Sequence, residues 1–228
     1  MKKLLMIANA ITLTLMLIFD LCYMLQGGLV LKSIASLMFV LTGAVNFIYC
    51  TKKKVDLKFP IWMMVALVCA MLGDILLNIN FYIGAATFAV GHVFYFVSYC
   101  MLEKINRRDL LCGCLISVFA ISIILFTPFL DFGSPLMQGV CCTYAVIISF
   151  MVGKAVSNLL EEKSCLHMIL MIGSILFFFS DCMLMLKMFG DIPVATYLCL
   201  GTYYPAQFIL AYSLVVYISR KGLKIKGI

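Results

Sequence analysis

Residues 59–79 read FPIWMMVALVCAMLGDILLNI, and this stretch decides the fold class. It carries one charged side chain, Asp74, in a run long enough to cross a hydrocarbon layer of about 30 Å as a helix. Hydrophobic residues make up 65% of the 228 residues and charged residues 12%, a balance that excludes a water-soluble domain. The short alternating segments typical of membrane β-barrels do not occur. The sequence therefore predicts an all-α membrane protein.

Similar apolar runs recur along the whole chain, separated by short polar connections. The predicted spans cover residues 4–25, 29–50, 59–79, 84–102, 109–127, 135–157, 166–188 and 194–218. Because no connection is long enough for a soluble domain, we expect one polytopic bundle of about eight transmembrane helices, with residues 1–228 as a single domain. The first run continues past the peptidase-like Ala8-Asn9-Ala10, so we expect an uncleaved first helix.

The basic residues predict the orientation of the bundle. With the N-terminus in the cytoplasm, the inner segments hold every Lys and Arg except Lys32 and Lys187, and they include Lys221, Lys224 and Lys226. This bias is typical of cytoplasmic loops, so we expect both termini in the cytoplasm of a cell such as a bacterium. The topology accounts for the net charge of +7, and no nucleic-acid partner is expected.

Two dipeptides suggest an internal repeat. Gly73-Asp74 in the third span and Ser180-Asp181 in the seventh span both precede apolar runs. The spans that follow carry Gly91-His92 and Gly201-Thr202. Four spans per half give both halves the same orientation, so the pattern predicts a parallel 4+4 repeat about an axis along the membrane normal.

Ionisable side chains inside the spans are few, and each costs about 2.5–3.5 kcal/mol on insertion scales. The ionisable residues are Asp20, Lys32, Asp74, His92 and Asp181, and their neutral polar neighbours in the spans are Asn46, Asn78, Tyr95, Tyr203, Tyr204 and Gln207. At 1.5 Å per residue, the ionisable residues and the tyrosine and glutamine groups lie within about 20 Å of the predicted outer boundary. We expect a polar cavity that opens outward and an inner half that is almost purely apolar.

Several of these residues have a purely structural interpretation. Asp20 and Lys32 can form an ion pair beside the first outer loop. His92 can be a hydrogen-bonded core histidine, and Asn46 and Asn78 can join helices by hydrogen bonds. The eleven cysteines are scattered without the spacing of metal ligands, so we expect no metal and no cofactor.

Asp74 and Asp181 are the candidate catalytic residues, because neither has a basic residue one turn away to neutralise it. Burial favours the protonated form of a carboxyl group, and a second carboxylate nearby favours it further. Two such groups together can present one acid and one anion at neutral pH. That combination suits a reaction through an oxocarbenium-like state, as in glycosidases.

The motifs, in this order, resemble the lysoplasmalogenase-like YhhN family of membrane proteins. The matching stretches are GDILL (73–77), Phe88 with GHVFY (91–95), SD (180–181) and YYPAQ (203–207), within residues 60–215. The second helix of the family typically opens with Lys-Pro, whereas Lys32 is followed here by Ser33.

The resemblance implies an ether hydrolase that cleaves the vinyl ether bond of lysoplasmalogens. The products would be a fatty aldehyde and glycerophosphoethanolamine or glycerophosphocholine. The implied partners are a lysophospholipid substrate and the bilayer, and Asp74 and Asp181 would supply acid catalysis. The candidate substrate-binding residues are Lys32, toward the phosphate, and Asn78, His92, Tyr95, Tyr203, Tyr204 and Gln207.

Two alternatives remain open. A transporter or lipid-binding sensor would use the same polar layer, but transporters typically have discontinuous helices near the midplane and a polar inward path. An intramembrane aspartyl protease would carry Gly-x-Gly-Asp, whereas Met71 stands at the first glycine position here. Aldehyde release, transmembrane flux and peptide cleavage distinguish these functions.

Overall fold

In a computed structural model of the protein, eight helices make up nearly all of the described chain. The structure describes residues 2–225, and side chains as far as Arg220, so Lys221, Lys224 and Lys226 lie outside the described side chains. The helices are α1 Lys2–Gln26, α2 Leu29–Lys52, α3 Lys58–Leu77, α4 Phe81–Cys100, α5 Arg107–Phe126, α6 Pro135–Glu161, α7 Cys165–Phe189 and α8 Val194–Ile225. Within this part there is no strand, and all eight helices are long and apolar enough to cross a membrane. The prediction of an all-α multi-pass fold is confirmed.

Caps and turns at the helix ends account for the boundaries. The Asn80 side chain accepts a hydrogen bond from the backbone of the first turn of α4, so α4 begins three residues before the predicted residue 84. Asn106 and Asp109 form a capping box at the start of α5. Gly27 and Gly28 join α1 to α2 with φ angles of 69° and 99°, a conformation that glycine adopts without steric cost.

Six of the helices form a ring. The helices α2, α3, α4, α6, α7 and α8 pack in that order, and α8 closes the ring on α2. Outside the ring, α1 packs against α2 and α8, and α5 packs against α6. The pairs α1–α2, α2–α3 and α3–α4 thus have counterparts in α5–α6, α6–α7 and α7–α8. A parallel repeat requires this pairing, and the repeat itself stays a prediction that superposing α1–α4 on α5–α8 tests.

The end of the bundle where α1 begins and α8 ends is not apolar, so the expectation of an almost purely apolar inner half was wrong. Lys154 is fully buried, and its Nζ lies 2.8 Å from Asp109 Oδ2. Asn9 and Asn46 join α1 to α2 through a hydrogen bond of 2.9 Å. The buried lysine is tolerated because a carboxylate from the neighbouring helix pairs with it, and spacing along one helix cannot reveal such a partner.

Candidate active site

The candidate site lies at the end of the bundle where α3, α5 and α7 end and α4, α6 and α8 begin. Asp74 is three residues before the end of α3, or about 4.5 Å along the helix. Asp181 is eight residues before the end of α7, or about 12 Å. Each carboxylate belongs to its own cluster of side chains.

The first cluster surrounds Asp74, which is 3% exposed. Its Oδ2 accepts hydrogen bonds from Ser36 Oγ at 2.6 Å and from Tyr203 OH at 2.7 Å. Its Oδ1 lies 3.4 Å from Lys32 Nζ. Three donors converge on one carboxylate, an arrangement that suits the ionised form. The expectation that Asp74 lacks a local counter-charge was wrong, because Lys32 comes from α2 rather than from a position one turn away.

Lys32 pairs with Asp74 rather than with Asp20, so the alternative of an Asp20–Lys32 ion pair is not found. Lys32 Nζ also lies 5.9 Å from the ring centroid of Tyr23. Asp20 is buried, and its Oδ1 has no hydrogen-bond partner among the described residues. The predicted contact between Lys32 and a phosphate would therefore compete with an ion pair inside the bundle.

Close packing explains why a glycine, Gly73, precedes Asp74. A Cβ atom at Gly73 would lie 2.7 Å from Cδ2 of the Phe88 ring, so a larger residue would displace that ring. Phe88 in turn packs edge-on against Tyr203, with ring centroids 6.1 Å apart. The Gly-Asp dipeptide therefore places a carboxylate and an aromatic ring side by side.

The second cluster surrounds Asp181. Tyr144 OH donates to Asp181 Oδ2 at 2.6 Å, and His92 Nε2 lies 2.7 Å from the same phenol oxygen. Because the phenol proton goes to Asp181, His92 Nε2 is the nitrogen that donates to Tyr144, which leaves Nδ1 unprotonated in a neutral ring. That Nδ1 is buried and has no hydrogen-bond partner among the residues with described side chains. His92, Tyr144 and Asp181 thus form a hydrogen-bonded chain across α4, α6 and α7.

An aromatic layer lies between the two clusters. Phe177 packs on His92 with ring centroids 4.6 Å apart, and on Tyr203 with centroids 5.3 Å apart. Among the described side chains, no hydrogen bond or ion pair joins Asp74 to Asp181. The two clusters use corresponding helices of the predicted repeat: α2, α3 and α8 hold one, and α6, α7 and α4 hold the other.

The remaining predicted site residues have partners of their own. Asn78 Nδ2 donates to the Asp74 carbonyl oxygen at 2.7 Å and so binds its own helix. Tyr95 OH donates to Gln207 Oε1 at 2.6 Å, and both residues are fully buried. Tyr204 OH lies 3.4 Å from Ser36 Oγ, at the edge of the Asp74 cluster. The contacts of Tyr95 with Gln207 and of Tyr204 with Ser36 join different helices of the ring, whereas the contact of Asn78 does not.

A cavity reaches Asp181. It lies between α3, α4, α5, α6 and α7 and holds about 780 Å³ of space, counting the part open to the surroundings. Its lining is apolar apart from Tyr144, Asp181 and the thiols of Cys141 and Cys182. Asp74 does not line it, whereas its neighbour Phe88 does. Asp181 is the carboxyl group that a molecule in this cavity can touch.

Sequence reasoning missed Tyr144 and Ser36. Tyr144 lies nine residues after the start of α6, or about 13.5 Å along it, which matches the depth of Asp181 on the antiparallel α7. A comparison of depths on adjacent helices would have paired them. Ser36 has a weaker signal, because serine is common inside membrane helices and usually bonds to its own backbone, as Ser36 also does to the Lys32 carbonyl.

One group of side chains at the other end of the bundle has the composition of a metal site. The ligand atoms of Glu103, Glu162 and His167 lie within 4.8 Å of one another. Arg220 already bonds to all three: its Nη2 donates to both carboxylates, and its Nη1 lies 3.3 Å from His167 Nε2. The guanidinium therefore supplies the positive charge that these groups require.

Comparison with known proteins gives one match. The model of the YhhN family matches residues 29–214, which is most of the chain and includes both carboxylate clusters. No curated protein and no solved structure matches the chain.

Proposed function

Because the chain belongs to the YhhN family, we propose that it is a lysoplasmalogenase-type hydrolase that cleaves the vinyl ether bond of a lysophospholipid. The observation that carries this proposal is the single carboxyl group, Asp181, in the wall of an apolar cavity between membrane-spanning helices. Such a cavity suits a hydrocarbon chain, and a vinyl ether joins that chain directly to the glycerol. A lipid whose chain lies in this cavity would have its double bond next to the Asp181 carboxyl group.

Asp181 acts first as the acid. It donates a proton to the β-carbon of the vinyl ether, which creates an oxocarbenium ion and leaves the aspartate anion beside it. Water then adds to the carbon that bears the ether oxygen and gives its proton to Asp181. The resulting hemiacetal breaks into a fatty aldehyde and the glycerophosphate alcohol, and the acid is restored. Tyr144 holds Oδ2 throughout, so Oδ1 carries the transferred proton.

Tyr144 and His92 orient Asp181 and stabilise its anion. We expect Tyr144→Phe to lower kcat for aldehyde release roughly ten- to hundredfold, because a hydrogen bond to a charged group is worth about 1.5–3 kcal/mol. KM should change little, since the phenyl ring still lines the cavity. The measurements are kcat and KM for aldehyde release by the purified variant.

Tyr197→Phe is the matched control for this change, because Tyr197 is 57% exposed on α8. It should behave as the unchanged protein does. A Tyr144→Phe variant with the kcat of the unchanged protein would contradict the role of the hydroxyl.

Asp74 has a positioning role in this proposal. Its charge is balanced by Lys32, and it bonds to Tyr203, which packs on Phe88 in the cavity wall. The cluster therefore keeps the aromatic wall in place rather than supplying the proton. Direct chemistry at Asp74, which the sequence predicts, stays a prediction that a Lys32 and Asp74 double variant can test.

The decisive experiment compares a lysoplasmalogen with its saturated alkyl ether analogue, using purified protein in lipid. The analogue has no double bond to protonate, so we expect aldehyde from the vinyl ether only. Equal cleavage of both lipids would contradict the chemistry, and cleavage of neither would contradict the hydrolase itself.

Transport is the second candidate, because polar groups such as Lys154 and Asn46 also occur in the other half of the bundle, where α1 begins and α8 ends. Two observations weigh against it. Lys154 is held between Asp109 and the Lys104 carbonyl, and all eight helices run without interruption, including α8 through Pro205. Lysolipid flux in proteoliposomes, measured beside aldehyde release, separates the two functions.

A further inference from the structure

A groove between α4 and α6 faces outward from the bundle. Its walls come from Ala85, Ala86 and Ala89 on α4 and from Gly139 and Thr143 on α6. It holds about 1190 Å³, counting the space open to the surroundings. Ala86, Gly139 and Thr143 are exposed, and Thr143 bonds its hydroxyl to the Gly139 carbonyl within α6. The groove therefore presents small, largely apolar walls to whatever surrounds the helices.

The depth of the groove places it against hydrocarbon. Gly139 lies four residues after the start of α6, or about 6 Å along it, and Tyr144 about 13.5 Å along it. Ala86 lies at a matching depth, about 7.5 Å after the start of α4. In helices that span a membrane, a surface at this depth meets lipid chains rather than water.

The groove adjoins the cavity that contains Asp181. Ala85, Val140 and Tyr144 line both, so one side of these residues faces the groove and another faces the cavity. Tyr144 is the phenol that bonds Asp181. A chain lying in the groove therefore contacts Tyr144, the residue whose hydroxyl donates to Asp181.

Open space at Gly139 distinguishes the groove from the close packing elsewhere on α6. A Cβ atom at Gly139 would meet nothing within 4 Å. At Gly153 on the same helix, a Cβ atom would lie 2.5 Å from the backbone nitrogen of Gly113 on α5. Gly153 permits α5 and α6 to pack closely, whereas Gly139 leaves open space beside α6.

We propose that the groove between α4 and α6 binds the hydrocarbon chain of a single-chain lipid and admits it sideways from the bilayer to Asp181. The inference rests on the proposed function for its substrate, but the binding it describes does not require catalysis. Lateral entry keeps the chain in hydrocarbon at every step, whereas entry from the bundle end would expose it to water.

Chain binding is tested without turnover by a lysophosphatidylethanolamine with a saturated ether chain that carries a photoactivatable diazirine. In liposomes containing the protein, we expect cross-links on α4 near Ala86 and on α6 near Gly139. Cross-links confined to the outer faces of α1 or α5, or spread evenly over all helices, would overturn the groove as a binding site.

A bulky side chain in the groove is the second test. Gly139→Trp should lower cross-linking to α4 and α6 about tenfold, and should lower kcat/KM more for a long-chain lysoplasmalogen than for a short-chain one. Gly201→Trp is the matched control, because a Cβ atom there also meets nothing within 4 Å and Gly201 is exposed on α8. Equal effects of the two substitutions would overturn the proposal.

The two proposals fail in different ways. Groove cross-links in a protein that releases no aldehyde would leave the lipid site standing and remove the hydrolase. Aldehyde release without groove cross-links, and without an effect of Gly139→Trp, would leave the hydrolase and remove the lateral path.

Discussion

Asp181→Asn is expected to lower aldehyde release from a lysoplasmalogen at least about a hundredfold, because general acid catalysis by one side chain contributes roughly 10²–10⁴ in rate. An amide cannot donate the proton that the β-carbon requires. The fold should be little affected, since the amide oxygen can still accept the hydrogen bond from Tyr144. The measurements are aldehyde formation by purified protein and the thermal midpoint in detergent.

Asp191→Asn is the matched control for this variant. Asp191 is exposed in the connection between α7 and α8, and its φ of 50° is a conformation that asparagine tolerates well. It should keep both the activity and the thermal midpoint. If Asp181→Asn kept full activity in folded protein, Asp181 would not be the acid, and the cavity would need another function.

Most of the fold could be predicted because the membrane restricts the choices. A segment such as 59–79 must bond its own backbone in hydrocarbon, so apolar length alone indicates a helix. The errors lie at the ends, where caps such as Asn80 act. The buried Lys154 was misplaced because its stability depends on Asp109 of another helix, and the sequence carries no mark of that contact.

The site could be predicted in part. The energetic cost of a charge in a membrane span singled out Asp74 and Asp181, and each of them lies at the centre of a hydrogen-bonded cluster. Their partners were not identified, since Lys32, Tyr144 and His92 lie on other helices and spacing along one helix does not reveal such contacts. The prediction of one carboxyl pair assumed that both groups face one centre. Each carboxylate instead has its own cluster of partners, an arrangement that agrees with the predicted parallel repeat and with the weak likeness of Gly73-Asp74 to Ser180-Asp181.

The second large effect is expected on stability, when the ion pair between Lys32 and Asp74 is broken. Asp74→Asn leaves the Lys32 ammonium buried without its counter-charge, and loss of one member of a buried pair costs about 3–5 kcal/mol. We expect a large fall in the thermal midpoint and in the yield of folded protein. Lys32→Met should cost less, because Ser36 and Tyr203 still donate to the Asp74 carboxylate.

The double variant Lys32→Met with Asp74→Asn removes both charges and should be more stable than Asp74→Asn alone, because no unpaired ion remains in the bundle. If Asp74 acts through position, the double variant should also regain much of the aldehyde release, since Asn can still accept from Tyr203 and keep Phe88 in the cavity wall. A stable double variant without activity would show instead that the Asp74 carboxylate takes part in the reaction. A double variant no more stable than Asp74→Asn would mean that the charge pair is not what holds α2 to α3 at this end of the bundle.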